Sequence, residues 1–303
     1  MEKFFAEEEK LSDAFLEKEE EFKTYLKVGR THLQDAVPIT LGQEFGAYAS
    51  ALSNAYVRIV AAVGELKDLG IGGTAIGSGI NTHKEFATKM CKELSKLSGI
   101  KNLKAAQNKF ETTHSMAAFL NLSSSLRSLA VELLRISNDL RLMASGPIAG
   151  FNDILLPEVE PGSSIMPGKV NPSVPECMSM ICIQVIGLDQ TICMAAQQGQ
   201  FELNWHTPLI MTDLLHQIEI LTNGMKMLRE HCIDGIKADK KKLEETLNSS
   251  TALATALAPH IGYHKVAEMV QESLKEKVPF KKLVPKKYLH LINAENMTKP
   301  NRT

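Results

Sequence analysis

The sequence predicts an all-α fold in which long helices pack side by side as a bundle. Apolar residues recur at alternating spacings of three and four over many turns, and no strand-like alternation of comparable length appears. Such spacing keeps one face of a helix apolar and suits helices that pack at a shallow angle. The fold class follows from these two observations.

Four apolar stripes locate the predicted long helices. They run, in chain order, from Leu41 to Leu66, from Phe119 to Met143, from Met178 to Ala195 and from Met211 to Cys232. Prolines mark the expected helix ends, because proline is tolerated at a helix start and not in its interior. Pro38 precedes the first stripe, Pro147 follows the second, and Pro172 opens the third.

Segments rich in glycine and proline separate the stripes. The longest spans residues 146–172, and loops of that length inside a compact chain are usually functional or disordered. The segment GIGGTAIGSG at 70–79 is interpreted as a tight turn, since it lacks GK[ST] and no strand pattern precedes it. Residues 1–237 are predicted to form a central helical bundle domain, and residues 238–303 a small C-terminal helical subdomain.

The composition narrows the classes of partner and cofactor. A net charge of −1, from 34 Lys+Arg and 35 Asp+Glu, indicates neither nucleic acid nor a membrane surface as a partner. The first residues lack the apolar region of a signal peptide, so we expect a cytoplasmic protein, with an organelle matrix as the alternative. The nine histidines show no HExxH spacing and the five cysteines no CxxC pair, so we expect no metal, no cofactor and free thiols.

The loop GSSIMPGKVNP at 162–172 concentrates chemically useful side chains. It holds the hydroxyls of Ser163 and Ser164, the ammonium of Lys169 and the carboxamide of Asn171 within nine residues. Because it runs into the third stripe, it ends near a helix N-terminus, and these groups together suit a carboxylate. A solvated connecting loop is the alternative interpretation.

A second cluster, GRTHLQD at 29–35, places His32 beside Thr31 and Asp35. The histidine is a candidate acid or base, although Thr and Asp are also common in a segment that caps a helix. Glu176, five residues past Asn171, is a candidate to orient or charge His32. A carboxylate in the first turn of a helix also interacts favourably with the helix dipole, which is the alternative role for Glu176.

The loop GSSIMPGKVNP resembles the signature of the aspartase/fumarase superfamily, and other segments resemble family motifs in the same order. They are GRTHLQDAVPITLGQEF (Gly29–Phe45), GGTAIGSGIN (Gly72–Asn81), NDLRLMASGP (Asn138–Pro147) and GQFELN (Gly199–Asn204). The resemblance implies a homotetramer of long helices whose active sites lie where three subunits meet, and a small dicarboxylate as substrate.

The resemblance also implies roles for the candidate residues. Ser163 would remove a proton from the carbon next to a carboxylate, and Lys169 and Asn171 would hold that carboxylate as an aci-carboxylate forms. Ser164 and Thr31 would bind substrate. His32, paired with Glu176, would assist at the substrate or the leaving group.

Two reactions fit the resemblance. NDLRLMASGP, TICMAAQQGQ (Thr191–Gln200) and the terminal MTKP resemble aspartate ammonia-lyases, whereas NKFE (Asn108–Glu111), LPEVEPGSS and FELN resemble class II fumarases. We favour the reversible deamination of L-aspartate to fumarate and ammonia. Hydration of fumarate to L-malate by a class II fumarate hydratase is the alternative.

The chain also departs from the family pattern. It begins after the segment that carries TGSGT-type and SSND-type motifs in relatives, which bind the substrate's second carboxylate. Ile148 stands where relatives usually have arginine, and Trp205 and His206 replace small apolar residues. A further hypothesis is therefore a truncated, catalytically silent partner that co-assembles with a full-length relative.

Overall fold

The computed structural model describes residues 1–160, 162–163 and 165–299 of the chain, and helices dominate them. The α-helices are α1 (Glu2–Glu21), α2 (Leu41–Glu65), α3 (Phe86–Ser98), α4 (Lys109–His114), α5 (Ala117–Met143), α6 (Ser173–Ala196), α7 (Thr207–His231), α8 (Lys240–Ser249), α9 (Ala258–Ile261), α10 (Tyr263–Glu276), α11 (Phe280–Leu283) and α12 (Ala294–Met297). Short 3-10 helices cover Ile233–Gly235, Ala254–Leu257 and Lys286–Ile292. The strands are β1 (Leu26–Thr31), β2 (Gln34–Thr40), β3 (Asp68–Leu69) and β4 (Lys104–Ala105). The prediction of an all-α fold is confirmed.

The chain divides into two compact units. Unit 1 comprises Met1–Leu11, Ala51–Asp139 and Pro172–Glu230, and unit 2 comprises Ser12–Ser50, Leu140–Asn171 and the chain from His231 onward. Each unit is therefore built from three separate stretches of sequence. The predicted boundary between residues 237 and 238 stays a prediction, because these units are cut at other positions.

The four apolar stripes lie on α2, α5, α6 and α7, as their spacing predicts. The stripe residues of α5 illustrate the burial, since Leu126, Leu129 and Leu133 are each fully buried. Pro172 takes the position before α6, in agreement with its expected place at a helix start. Four of the long helices were therefore predictable from periodicity alone, whereas the 20-residue helix α1 was not predicted.

Buried polar contacts fix the helices of unit 1 against one another. Asp189 of α6 is 1% exposed and accepts hydrogen bonds from Ser123 (2.7 Å) and Arg127 (2.9 Å) of α5. Gln217 of α7 donates to the carbonyl oxygen of Val185 in α6 at 3.0 Å. Buried polar groups need such partners, so these contacts select one register among the helices.

The segment that contains Thr31 and His32 forms a β-hairpin, which the sequence interpretation missed. Strands β1 and β2 pair antiparallel, with Leu26 opposite Thr40 and Thr31 opposite Gln34. Helix α2 begins later, at Leu41. The interpretation of Thr31 and Asp35 as helix-capping residues is wrong, because both belong to the hairpin.

The residue that caps α2 is Thr40. Its hydroxyl oxygen accepts the backbone N–H of Gln43 at 3.1 Å, and the Gln43 side-chain oxygen accepts the backbone N–H of Thr40 at 3.0 Å. This reciprocal pair is a capping box, which satisfies two backbone donors at the helix start. It fixes the point where the hairpin ends and the helix begins.

The C-terminal part of unit 2 packs its short helices around an apolar cluster that also includes strand β1. Val28 of β1 is 1% exposed and lies in the same cluster as Leu247, Leu257 and Phe280. Gln43 at the start of α2 donates to the carbonyl oxygen of Thr298 at 2.7 Å. The hairpin is thus held by the C-terminal helices as well as by its own strands.

Candidate active site

The β1–β2 hairpin presents Thr31 and His32 at its tip. Because Thr31 pairs with Gln34, the loop consists of His32 and Leu33 alone, with φ angles of 53° and 60°. Two-residue loops with positive φ at both positions match the twist of a hairpin, but Asn and Gly usually occupy them. Thr31 and His32 are both exposed, and the strained backbone of the tip is that of His32 and Leu33.

The base of the tip is anchored on the C-terminal helices. The Asp35 carboxylate accepts the Ser250 hydroxyl at 2.6 Å. An open pocket of about 420 Å³ lies beside this contact; its lining residues are Asp35, Lys242, Glu245, Thr246, Ser249 and Ser250. None of the described candidate catalytic residues lines it, so we do not assign the reaction to this pocket.

The loop 162–171 surrounds the hydroxyl of Ser163 with backbone donors. The Ser163 Oγ accepts the backbone N–H of Met166 at 3.1 Å and that of Ile165 at 3.3 Å. Two N–H donors that converge on one oxygen stabilise negative charge there, as in an oxyanion hole. This arrangement suits a hydroxyl that has to give up its proton. Ser164, the neighbouring candidate, lies outside the described residues.

The base of the same loop is closed by Asn171. Its side-chain amide donates to the carbonyl oxygen of Gly162 at 2.7 Å. A Cβ at Gly162 would collide with the Lys169 carbonyl oxygen, so only glycine permits this approach of the two ends. The Lys169 side chain lies on the exposed part of the loop.

Glu176 belongs to a different part of the fold from the other candidates. It lies in the first turn of α6 and is half-buried, within unit 1. Thr31, His32, Ser163, Lys169 and Asn171 all belong to unit 2. The pairing of Glu176 with His32 stays a prediction.

The structure adds residues that sequence reasoning missed. Arg30, directly before Thr31, forms an ion pair with Asp153 at 2.6 Å, and its guanidinium lies 4.3 Å from the centre of the Phe151 ring. Asp153 is 2% exposed and precedes Ser163 by ten residues. No local sequence signal marked these residues, because Lys and Arg are common on exposed strands and their burial depends on the distant Asp153.

Two of the five cysteines are buried thiols with a raised pKa. Burial raises the pKa of Cys182 and that of Cys232 to about 12, so both thiols stay protonated near neutral pH. Cys91 is also buried, whereas Cys193 is exposed. All five thiols are free, as the sequence predicted.

Of the residues that depart from the family pattern, Ile148 and Trp205 are exposed and His206 is half-buried. Ile148 is 93% exposed in the segment between α5 and α6. Trp205 is 65% exposed and stacks on His206, with the ring centres 3.9 Å apart. Neither side chain is part of the apolar core, so both replacements leave the packing of the fold intact.

Comparison with known proteins places the chain in a family. A family model described as lyase matches residues 1–187. A class II fumarate hydratase from Helicobacter pylori is 43% identical over 288 residues, which are 95% of this chain and 62% of that protein. An aspartate ammonia-lyase from a Bacillus species is 43% identical over 263 residues, 87% of this chain and 56% of that protein. The chain thus spans about three fifths of the length of these relatives.

Solved structures give the same result for the fold. A Brucella melitensis protein described as fumarate lyase:delta crystallin, bound to cobalt, matches with a TM-score of 0.94 at 41% identity, over 99% of this chain and 66% of that one. A class II fumarase from Schistosoma mansoni matches with a TM-score of 0.94 at 36% identity, over 99% and 67% of the two chains. The chain therefore belongs to the lyase family, within the aspartase/fumarase superfamily.

Proposed function

We propose that this chain is a subunit of a lyase that forms or consumes fumarate. The observation that carries the proposal is the Ser163 hydroxyl oxygen, which accepts two backbone N–H groups inside the family's signature loop. Relatives named fumarate hydratase and aspartate ammonia-lyase, both at 43% identity, support the same class of reaction.

In the proposed reaction Ser163 acts as the base. Its oxygen removes a proton from the carbon next to a carboxylate of the substrate, and the electron pair of that C–H bond moves into the carboxylate to give an aci-carboxylate. The amides of Ile165 and Met166 stabilise the negative charge that the serine oxygen carries before it takes the proton. The charge on the base is therefore balanced by groups of its own loop.

The remaining candidates bind and complete the elimination. Lys169 and Asn171 hold the carboxylate while it gains charge, and Thr31 and Ser164 bind the rest of the substrate. Collapse of the intermediate breaks the bond to the leaving group on the opposite face, which releases ammonia or water and leaves fumarate. His32, with Glu176 as its partner, assists at the leaving group.

We propose L-aspartate as the substrate and keep L-malate as the alternative. The sequence segments that resemble aspartate ammonia-lyases favour the amine. Relatives of both kinds match at similar identity, 41% for one aspartate ammonia-lyase and 41% for one class II fumarate hydratase, so overall similarity does not separate them. The two substrates differ only in the leaving group, which makes a direct comparison of the two reactions decisive.

We propose that copies of this chain, or of a relative, cover an exposed apolar face of α6. Met180, Ile183 and Met194 are each at least 60% exposed on this helix. The helix is long and apolar enough to cross a membrane, and one third of the relevant window is buried. The buried carboxylate of Asp189, bonded to α5, identifies α6 as a core helix instead, so its apolar outer face suits a homotetramer.

The cytoplasm is the proposed location, with an organelle matrix as the alternative. One relative, from Dictyostelium discoideum, is named as a mitochondrial fumarate hydratase.

The first experiment measures fumarate absorbance with L-aspartate in one sample and L-malate in another. Fumarate from one substrate identifies the reaction, and fumarate from neither, with the protein folded, contradicts activity of this chain alone.

In an active preparation we expect Ser163→Ala to lower the rate by at least about 10²-fold, the scale of lost general-base catalysis. The matched control is Ser98→Ala, because the Ser98 oxygen also accepts a backbone N–H, from Ile100 at 3.2 Å. Unchanged turnover in Ser163→Ala would exclude this serine as the base.

A further inference from the structure

Two buried and two half-buried charged residues meet at the hairpin, and we call them the charge cluster: Lys27, Arg30, Glu44 and Asp153. The side chains of Lys27 and Asp153 are 2% and 3% exposed. The Lys27 Nζ lies 2.6 Å from the Glu44 Oε2 and 3.0 Å from the Asp153 Oδ2. The Arg30 Nη1 lies 2.6 Å from the same Asp153 Oδ2. One carboxylate oxygen is thus shared by two cations.

The irregular pairing of the hairpin brings both cations to that oxygen. In a regular strand, residues three apart point to opposite faces, so Lys27 and Arg30 would not meet one partner. The register of the β1–β2 pair shifts between Val28 and Arg30, and such bulges increase the local twist and re-aim side chains. Gly29 lies at this shift, where a Cβ would approach the Val37 carbonyl oxygen to 2.8 Å. The bulge therefore depends on glycine.

The partner Asp153 is fixed by its own backbone. Its N–H donates to the carbonyl oxygen of Met143 at the end of α5, at 2.8 Å. Two residues on, Leu155 exchanges backbone hydrogen bonds of 2.7 and 3.0 Å with Lys237. Asp153 therefore lies in the anchored root of the segment that continues into the loop of Ser163.

The charge cluster joins the two segments that hold the candidate catalytic groups. Arg30 is adjacent to Thr31 and His32 in sequence, and Asp153 lies in the same inter-helix segment as Ser163. Two cations face two carboxylates, so the cluster has no formal excess charge when all four groups are ionised. Removal of one partner from a buried pair leaves an uncompensated charge, which makes such contacts sensitive to geometry.

We propose that Asp153 is a positioning residue, whose carboxylate holds the hairpin of Thr31 and His32 to the root of the loop of Ser163. The structural part of this inference rests on the contacts that Lys27 and Arg30 make with Asp153. Its consequence for catalysis rests on the proposed function. Asp153 does not contact substrate in this scheme. It sets where the hairpin tip lies relative to the loop within unit 2.

The test compares Asp153→Asn and Asp153→Glu with Asp189→Asn in the full chain. Asp189 is a matched control because it is also buried, 1% exposed, and also paired with an arginine, at 2.9 Å. Amide hydrogen exchange by mass spectrometry reads the hairpin at residues 26–40. We expect Asp153→Asn to speed exchange there by at least about ten-fold, Asp153→Glu to restore part of the protection, and Asp189→Asn to leave it unchanged.

Hydrogen exchange tests the positioning role of Asp153 and turnover tests the proposed function, so the two proposals can fail separately. Where the parent chain is active, Asp153→Asn should lower kcat and raise KM, because the displaced tip carries His32, which assists the reaction, and Thr31, which binds substrate. An inactive parent chain with faster hairpin exchange in Asp153→Asn contradicts the activity and supports the positioning role. Wild-type protection in Asp153→Asn, or equal loss in Asp189→Asn, overturns the positioning role. If Asp153→Asn does not fold, Arg30→Gln, which leaves the Lys27–Asp153 pair intact, takes its place with the same criteria.

Discussion

The close approach inside the signature loop makes Gly162→Ala an informative perturbation. The new Cβ would overlap the Lys169 carbonyl oxygen, and real Cβ atoms essentially never come closer than 3.0 Å to such an atom. No side-chain rotation can relieve this overlap, because an alanine Cβ is fixed to the backbone and the Lys169 carbonyl is a backbone group. The two ends of the loop have to separate, and the Asn171–Gly162 hydrogen bond of 2.7 Å is then lost.

The effect on activity should greatly exceed the effect on stability. A lost hydrogen bond of this kind changes the free energy of unfolding by about 0.5–1.5 kcal/mol. A displacement of about 1 Å at a catalytic group, in contrast, can lower a rate by about 10²-fold. We therefore expect Gly162→Ala to reduce fumarate formation by about two orders of magnitude while its melting temperature falls by only about 1–2 °C, because a chain of this length unfolds with a large entropy, about 2.1 cal/mol/K per residue.

Two other glycines serve as controls for Gly162→Ala. Gly64, near the end of α2, has no atom within 4 Å of an added Cβ, so Gly64→Ala should keep activity and raise stability by up to about 0.5–1 kcal/mol. Gly168 also has open space but a φ of +76°, so Gly168→Ala tests backbone strain without collision. The measurements are fumarate absorbance and thermal unfolding by circular dichroism. Full activity in Gly162→Ala, with the variant folded, would refute the argument from close approach.

Two further predictions concern the core and the charge cluster. Leu129 on α5 is fully buried, so Leu129→Glu should prevent folding, whereas Leu188 on α6 is half-buried, so Leu188→Glu should chiefly lower the oligomer mass. Circular dichroism measures folding and light scattering measures the oligomer mass. A native oligomer of Leu129→Glu would show that the predicted helix register is wrong. Burial raises the pKa of the Glu44 carboxyl, and the ammonium of Lys27 opposes that shift only in part. The stabilising contribution of Glu44 is therefore complete below its unfolded pKa and is lost as pH rises through its folded pKa. Glu44→Gln should therefore gain stability relative to the parent chain as pH rises from the unfolded pKa of Glu44 through its raised folded pKa, and a melting-temperature difference that moves the other way would contradict the sign.

The helical part of the fold could be predicted because its energetics are local in sequence. The stripe from Phe119 to Met143 repeats the helical period over the whole of α5, and all of its residues except Phe119 are buried. Burial of a continuous apolar face dominates helix packing, so the period alone locates such elements. The signature loop was predictable for a different reason, since its glycines and prolines exclude a helix.

The hairpin could not be predicted because its determinants are distant in sequence. Its turn uses His32 and Leu33, which lack the glycine or asparagine that marks a two-residue loop. Pro38 lies inside β2, where a proline normally argues against a strand. The partners that hold the strands, Asp153 and the C-terminal cluster around Val28, lie more than a hundred residues away. No sequence pattern within residues 26–40 indicates these distant partners.

This failure of local rules is itself informative about function. Each non-glycine residue held at positive φ costs on the order of 1–3 kcal/mol, and His32 and Leu33 are two such residues in succession. A fold retains such a turn only when surrounding contacts determine it, and here the buried pairs of Lys27 and Arg30 with Asp153 lie directly beneath. Sequences that specify one structure are locally consistent except where a site requires otherwise. We therefore propose that the strained, exposed tip and its buried support act together to place Thr31 and His32 for a ligand.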